Sequence, residues 1–121
     1  MMKALVVDDN RQIADSLVQM LKFFDFEAQA AYGARAALTA LKSMTPSIVF
    51  LDLNMPGLTG FDVLSYLRRE PRLSEIPVIV VTSDDQPESA ERAIESGATA
   101  YVIKPISLDI LEASLQSLDL L

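Results

Sequence analysis

Cysteine and histidine are both absent from the 121 residues of this chain. Without cysteine there is no disulfide framework, no thiolate metal site and no catalytic thiol. Without histidine, the commonest general base and the commonest metal ligand are gone too. No apolar stretch approaches the ~18 residues of a membrane-spanning helix, and no basic-then-apolar leader opens the chain. The expected setting is therefore the cytoplasm, with no role for a membrane. Positive charge is scarce: 10 Lys and Arg face 17 Asp and Glu, giving a net charge of -7 and a pI near 4.4. Direct nucleic-acid binding is not expected of so acidic a domain, whereas cations are welcome.

What is present is an ordinary globular composition, 50% apolar and 22% charged, long enough for one core and too short for two. Residues 1–121 are expected to form a single domain, with no repeat, low-complexity tract or linker. Strands are predicted at 4–7, 27–31, 48–51, 78–81 and 100–103. Three of these are continuous apolar runs, the pattern of parallel strands buried on both faces. Between them the period turns helical: Ile13, Leu17, Leu21 and Phe24 share a stripe, as do Leu38 and Leu41, then Phe61, Leu64 and Leu67. Ala90, Ala93 and Ile94 give a thin stripe, and Leu108, Leu111, Leu115 and Leu118 a strong one. Asp9 with Gln12, Thr59 with Asp62 and Asp85 with Glu88 have capping-box spacing, and Gly97 is a helix stop. Five β-then-α units predict an α/β fold, a flavodoxin-like doubly wound sheet of five parallel strands in the order 2-1-3-4-5 with five helices.

Four of the apolar runs end on a group useful to phosphate chemistry: Asp8 and Asp9, then Asp52, Thr82 and Lys104. Ligands of such sheets bind outside the carboxyl ends of the strands, at the switch point, which in this order lies between the first and third strands. Two carboxylates about 4 Å apart repel by roughly 4 kcal/mol at an effective dielectric of 20, so three of them call for a cation. Mg2+ fits, since it takes oxygen ligands and binds through one or two carboxylates plus phosphate oxygens. Asp9 and Asp52 are the first candidates as ligands, with Asp8 acting through water. A metal-bound aspartate can then serve as nucleophile to a phosphoryl group. Lys104 would hold phosphate oxygens and the Thr82 hydroxyl would donate to another. Taken singly, Asp8, Asp9 or Thr82 is an ordinary helix cap and Lys104 a solvated surface residue. Their joint placement at strand ends is what capping does not explain.

The segment Leu51-Asp52-Leu53-Asn54-Met55-Pro56-Gly57-Leu58-Thr59-Gly60 resembles the phosphoacceptor loop of the receiver domains of two-component response regulators. Val6-Val7-Asp8-Asp9-Asn10 is similar to that family's acidic-pair motif. Val80-Val81-Thr82-Ser83 matches its switch hydroxyl, and Gly97-Ala98 through Lys104-Pro105 its last strand and lysine. The resemblance covers essentially the whole chain. It implies phosphorylation of Asp52 by a histidine kinase or histidine phosphotransfer protein, with magnesium on Asp8, Asp9, Asp52 and the backbone carbonyl of Asn54. It further implies a cis Lys104-Pro105 peptide, phosphoryl contacts from Thr82 and Lys104, and an aromatic switch at Tyr101 that turns inward as Thr82 moves. Asn54 and Asp84 sit where family members tune the hydrolysis of the aspartyl phosphate; Asp84 either orients water or caps a helix. Thr59 departs from the acidic residue many members carry there, and is taken as a cap.

In this family the switched surface is the fourth helix, last strand and fifth helix, where Tyr101 and Ile106 are candidate partner contacts. The expected partners are the phosphodonor protein and a downstream target protein or output domain, with homodimerisation on phosphorylation a further option. No output domain follows, so the chain acts through a separate protein or is a piece of a larger regulator or hybrid kinase. The chain is not expected to be an enzyme beyond its own phosphorylation and dephosphorylation. Two other readings stand beside this one. A haloacid-dehalogenase-like phosphatase needs an acid two residues after the nucleophile, where Asn10 and Asn54 stand. An unphosphorylated pseudo-receiver would not need the full set of acids, hydroxyl and lysine. A nucleotide fold has no Gly-rich phosphate loop to support it.

Overall fold

In a computed structural model, which describes residues 2–121, strand and helix alternate through the whole chain. The elements are β1 (Lys3–Val7), α1 (Arg11–Phe23), β2 (Glu27–Ala31), α2 (Ala34–Leu41), β3 (Ile48–Leu51), α3 (Gly60–Arg69), β4 (Val78–Thr82), α4 (Pro87–Glu95), β5 (Ala100–Ile103) and α5 (Leu108–Ser117). All pairings are parallel and the sheet order is β2-β1-β3-β4-β5, as predicted. Four strand starts match the expected ones; β1 begins one residue earlier, and β4 runs on to include Thr82.

Every residue of β3 and β4 is buried, because helices cover both faces. Alternate side chains feed two cores. Leu5, Val7, Val49, Leu51, Val78 and Val80 pack with α2 and α3. Ala4, Val6, Ile48, Phe50, Ile79 and Val81 pack with α1 and α5. The edge strands are only partly covered, β5 having no fully buried residue.

The helix stripes need correction in four helices. In α4 the stripe shrinks to Ala93, since Ile94 is exposed. In α1 the buried set is Ala14, Leu17, Val18 and Leu21, while Ile13 is exposed and Phe24 lies beyond the helix as its C-cap. In α2 the buried set is Ala34, Ala37 and Leu41, with Leu38 only partly covered. Leu108 opens α5 exposed, ahead of buried Leu111 and Leu115. The caps also shift. Asn10, not Asp9, caps α1, its side chain accepting from the Ile13 N–H at 3.1 Å. Gln86, not Asp85, precedes α4, with Pro87 at the first position, where its missing N–H costs nothing. Thr59 and Asp62 do form the expected pair, the Asp62 carboxylate accepting from the Thr59 N–H at 2.7 Å. Gly97 ends α4 with φ of 111°, backbone that only glycine adopts freely. Gly60 is required for a different reason: a Cβ there would lie 2.2 Å from the Asp52 carbonyl oxygen.

Candidate functional site

Register puts the chemistry on one edge. Val7 of β1 lies opposite Leu51 of β3, and Leu51 opposite Val80 of β4, so Asp8 and Asp52 leave the sheet side by side. The ladder continues past the strands: the Asp52 N–H donates to the Val7 carbonyl at 3.0 Å and the Lys104 N–H to the Thr82 carbonyl at 2.8 Å. One carboxylate oxygen each of Asp8, Asp9 and Asp52 lies within 4.8 Å of the others. Asp8 and Asp52 are buried while Asp9 is exposed.

The two buried acids are held alike. Oδ1 of Asp8 accepts from the Asn10 N–H at 2.9 Å, and Oδ1 of Asp52 from the Asn54 N–H at 3.3 Å. Their Oδ2 atoms share the Lys104 ammonium, at 2.7 Å from Asp8 and 3.3 Å from Asp52. Among the described residues these are the two ion pairs, and both belong to Lys104. Burial pushes the Asp52 carboxyl up; the Lys104 charge pulls it back, and the Asp8 charge raises it again. Burial works against the Lys104 ammonium, but the hydrogen bond to Asp8 and the charges of Asp52 and Asp8 outweigh it, so its pKa is raised. Three carboxylates against one ammonium leave a surplus of negative charge around oxygen donors, which is the donor set of a hard divalent cation. The pocket fits Mg2+ on that chemistry.

Thr82 is fully buried at the end of β4. Its Oγ1 accepts from Asn54 Nδ2 at 3.4 Å and from the Asp84 N–H at 3.4 Å. Asp84 does not face the acids with a free carboxylate: Oδ1 accepts from the Gln86 N–H at 3.0 Å and Oδ2 from Ser89 Oγ at 2.6 Å. Tyr101 is half-buried and donates from its hydroxyl to the Asp84 carbonyl at 2.6 Å. Lys104-Pro105 is cis. Beside Asp8, Asp52 and Lys104 opens a cleft of about 230 Å3 whose apolar walls include Ile13, Leu17, Met20 and Ile106. Sequence reasoning missed Ser89 and Arg68. Arg68 ties the Gly97, Ser74 and Ile76 carbonyls together.

A doubly wound parallel sheet with an acid-lysine pocket at its switch point defines a class of α/β signalling module. The chain belongs to the response regulator receiver domain family, whose model matches residues 4–116. It is 34% identical over 120 residues to the chemotaxis protein CheY of Pseudomonas aeruginosa, covering 97% of this chain and 95% of that one. It is equally 34% identical over 103 residues to the DNA-binding response regulator MtrA of Mycobacterium tuberculosis, covering 85% of this chain but 44% of MtrA. The chain thus spans about half the length of several curated relatives it matches. The solved structure of the chemotaxis response regulator CheY4 of Vibrio cholerae superposes with a TM-score of 0.89 at 28% identity, over 97% of this chain and 98% of that one.

The chain is therefore a response regulator receiver domain, a module of two-component signal transduction. Neither the phosphatase nor the pseudo-receiver reading is favoured by these relatives. Receiver domains use Mg2+ at an acidic pocket, and response regulators pair with histidine kinases and output domains. Among the described residues no helix is long and apolar enough to cross a membrane.

Proposed function

We propose that residues 1–121 act as one receiver domain that takes a phosphoryl group on Asp52 from the phosphohistidine of a kinase or phosphotransfer protein. The observation that carries this is the Lys104 bridge between Asp8 and Asp52, with Asp9 alongside. A carboxylate oxygen of Asp52 attacks phosphorus as the P–N bond breaks, and the electron pair leaves with the donor imidazole. The protein's work is positioning and charge neutralisation more than acid-base chemistry, so the absence of histidine is no handicap. Asp8, Asp9 and Asp52, with the Asn54 carbonyl, would hold Mg2+, which when bound supplies positive charge to the phosphoryl oxygens. Lys104 contacts one of those oxygens and Thr82, turning from Asn54 and Asp84, donates to another. The domain itself catalyses acceptance and loss of the group.

The switch is a population shift: phosphate on Asp52 favours the arrangement in which Thr82 and Lys104 contact it. The readout surface is α4, β5 and α5, including Tyr101 and Ile106, and it meets a target protein, an output domain or a second copy. With its net charge of -7 the domain does not itself bind nucleic acid; the cytoplasm is its proposed location. Incubation with Mg2+ and acetyl phosphate, followed by intact mass, tests the central step. The wild type is expected to gain one phosphoryl group and Asp52→Asn none; a well-folded wild type that gains nothing overturns the reading.

A further inference from the structure

All four polar groups of Asp84 are used, and by three different elements. Its N–H donates to Thr82 Oγ1 at the end of β4, and its carbonyl accepts from the Tyr101 hydroxyl of β5. Its two carboxylate oxygens accept from Gln86 and Ser89 at the start of α4. The Ser89 bond is the shortest of the set that reaches α4, at 2.6 Å, and it is charge-assisted. Ser89 and the Gln86 N–H hold the Asp84 carboxyl below its usual range, consistent with a well-made pair.

Packing does little to fix α4 otherwise. Ala93 is its one buried residue, and Ile94 is 48% exposed. Its ties across to α3 are the Arg92 guanidinium over the Phe61 ring, 3.9 Å from its centroid, and, just past the helix at its far end, the Arg68 Nε bond to the Gly97 carbonyl at 2.9 Å, so neither fixes the first turn. A helix with so few buried contacts belongs to the low-stability end of a fold, where small polar ties decide position. The Asp84–Ser89 bond is such a tie, and it leads directly to the hydroxyl that must move when Asp52 is modified.

We propose that Ser89 is a positioning residue of the switch: by clasping Asp84 to the first turn of α4 it joins Thr82, Tyr101 and that helix into one mechanical unit. This rests on the phosphoryl-acceptor reading above. When Thr82 turns to the phosphoryl group its bond to the Asp84 N–H is lost, Asp84 shifts, and α4 follows because Ser89 holds it. A purely structural Ser89 would lower stability when removed and leave the transmitted response intact.

The test compares wild type, Ser89→Ala and Ser89→Thr, each with and without Mg2+ and acetyl phosphate. Intact mass reports occupancy of Asp52, and amide hydrogen exchange at residues 86–90, with fluorotyrosine NMR of Tyr101, reports the response. Phosphorylation of the wild type is expected to change first-turn exchange by about tenfold. Ser89→Ala is expected to take up the group normally but to lose most of that difference, exchanging fast in both states. Ser89→Thr, which restores the hydroxyl, is expected to recover it. A full phosphorylation-dependent difference in Ser89→Ala overturns the inference, and so does a loss that Ser89→Thr fails to restore. If Ser89→Ala cannot be phosphorylated, Ser89 serves acceptance and not transmission, which also sinks the proposal. No mass gain even in the wild type overturns the acceptor reading itself, and this inference with it.

Discussion

Helices α1 and α4 both lie against the same sheet, yet they are anchored by different physics. Helix α1 buries Ala14, Leu17, Val18 and Leu21 against β1 and β3 and has a side-chain cap at Asn10. Helix α4 buries Ala93 alone, has a cap residue whose own side chain makes no capping bond, and sits beside an edge strand with no fully buried position. The acids of the pocket grow from the first region, out of fully buried β1 and β3 ends. Thr82 and Tyr101 connect the pocket to the second. A module that must hold three like charges in place and still move a surface needs both kinds of construction: a stiff floor where repulsion has to be borne, and a loosely packed flank that a few hydrogen bonds can reposition.

Truncating a side chain in each helix separates the two kinds of anchoring most directly. Leu21→Ala, at a fully buried position, is expected to cost about 3 to 5 kcal/mol. Ile94→Ala on α4 is expected to change stability by less than about 0.5 kcal/mol. Urea unfolding of both variants measures the contrast. Comparable losses would mean that α4 is as well anchored as α1 and that the flank is not the pliable part.

Most of this division was legible in the chain. The thin Ala90, Ala93, Ile94 stripe against the four-residue stripe of the first helix already marks α4 as weakly packed. The apolar runs ending in Asp8, Asp52, Thr82 and Lys104 place the pocket because a parallel sheet gathers strand ends on one edge. What sequence did not give was the choice among neighbouring cap formers. Asp8, Asp9 and Asn10 all have acceptor side chains, and the winner is decided by which one the ladder leaves outside the sheet: Asp8 turns to Lys104 and Asn10 to Ile13. Ile13 follows the helical period but faces the cleft beside Asp52. Ser89 was invisible because its local bond depends on the path of the loop that turns the Asp84 carboxylate back onto the first turn of α4. Arg68 was invisible because its partners are brought to it by the fold of the loop between Pro71 and Pro77 and by the approach of Gly97.

Cation binding sharpens the stiff side of the contrast. A ligand that binds only the folded state at a hundred times its dissociation constant adds about 2.7 kcal/mol. Mg2+ is therefore expected to raise the thermal midpoint of the wild type in a saturable way. Asp9 is exposed, so Asp9→Asn should leave the metal-free stability nearly unchanged. It should also shift the Mg2+ dependence to at least about tenfold higher concentration. A titration that is indifferent to Asp9 would remove it from the ligand set.

The charge held on that floor has a smaller, pH-dependent signature. The Asp52 pKa is raised in the fold, chiefly by burial. The folded state therefore binds a proton more tightly than the unfolded chain, and this group favours folding most below the ordinary carboxyl value of 3.8. As pH rises from there through its folded pKa, that contribution is lost. At neutral pH the charged Asp52 is a net cost, so metal-free Asp52→Asn is expected to melt higher than wild type, with the advantage shrinking as pH falls toward 3.8. Lys104 adds a second limit: its raised pKa contributes stability that persists below 10.5 and is lost as pH rises above it. Scanning calorimetry of the two proteins across the acid range decides the first point. A variant that melts lower throughout would mean the Lys104 pairing outweighs burial and repulsion.

The finest test compares how the two helices begin. At α1 the Asn10 side chain accepts from the Ile13 N–H, one of the donors no helix can satisfy internally. Replacing it by alanine should cost about 1 kcal/mol. At α4 Gln86 makes no such bond, and Pro87 presents no N–H needing one, so Gln86→Ala is expected to be neutral within about 0.5 kcal/mol. The first turn of α4 is instead held by the Asp84 carboxylate from outside the helix. Equal penalties in denaturant unfolding would place an unrecognised cap at Gln86 and return α4 to the ordinary class of helix. The expected inequality would mean that its start is fastened only through the residue that also contacts Thr82 and Tyr101.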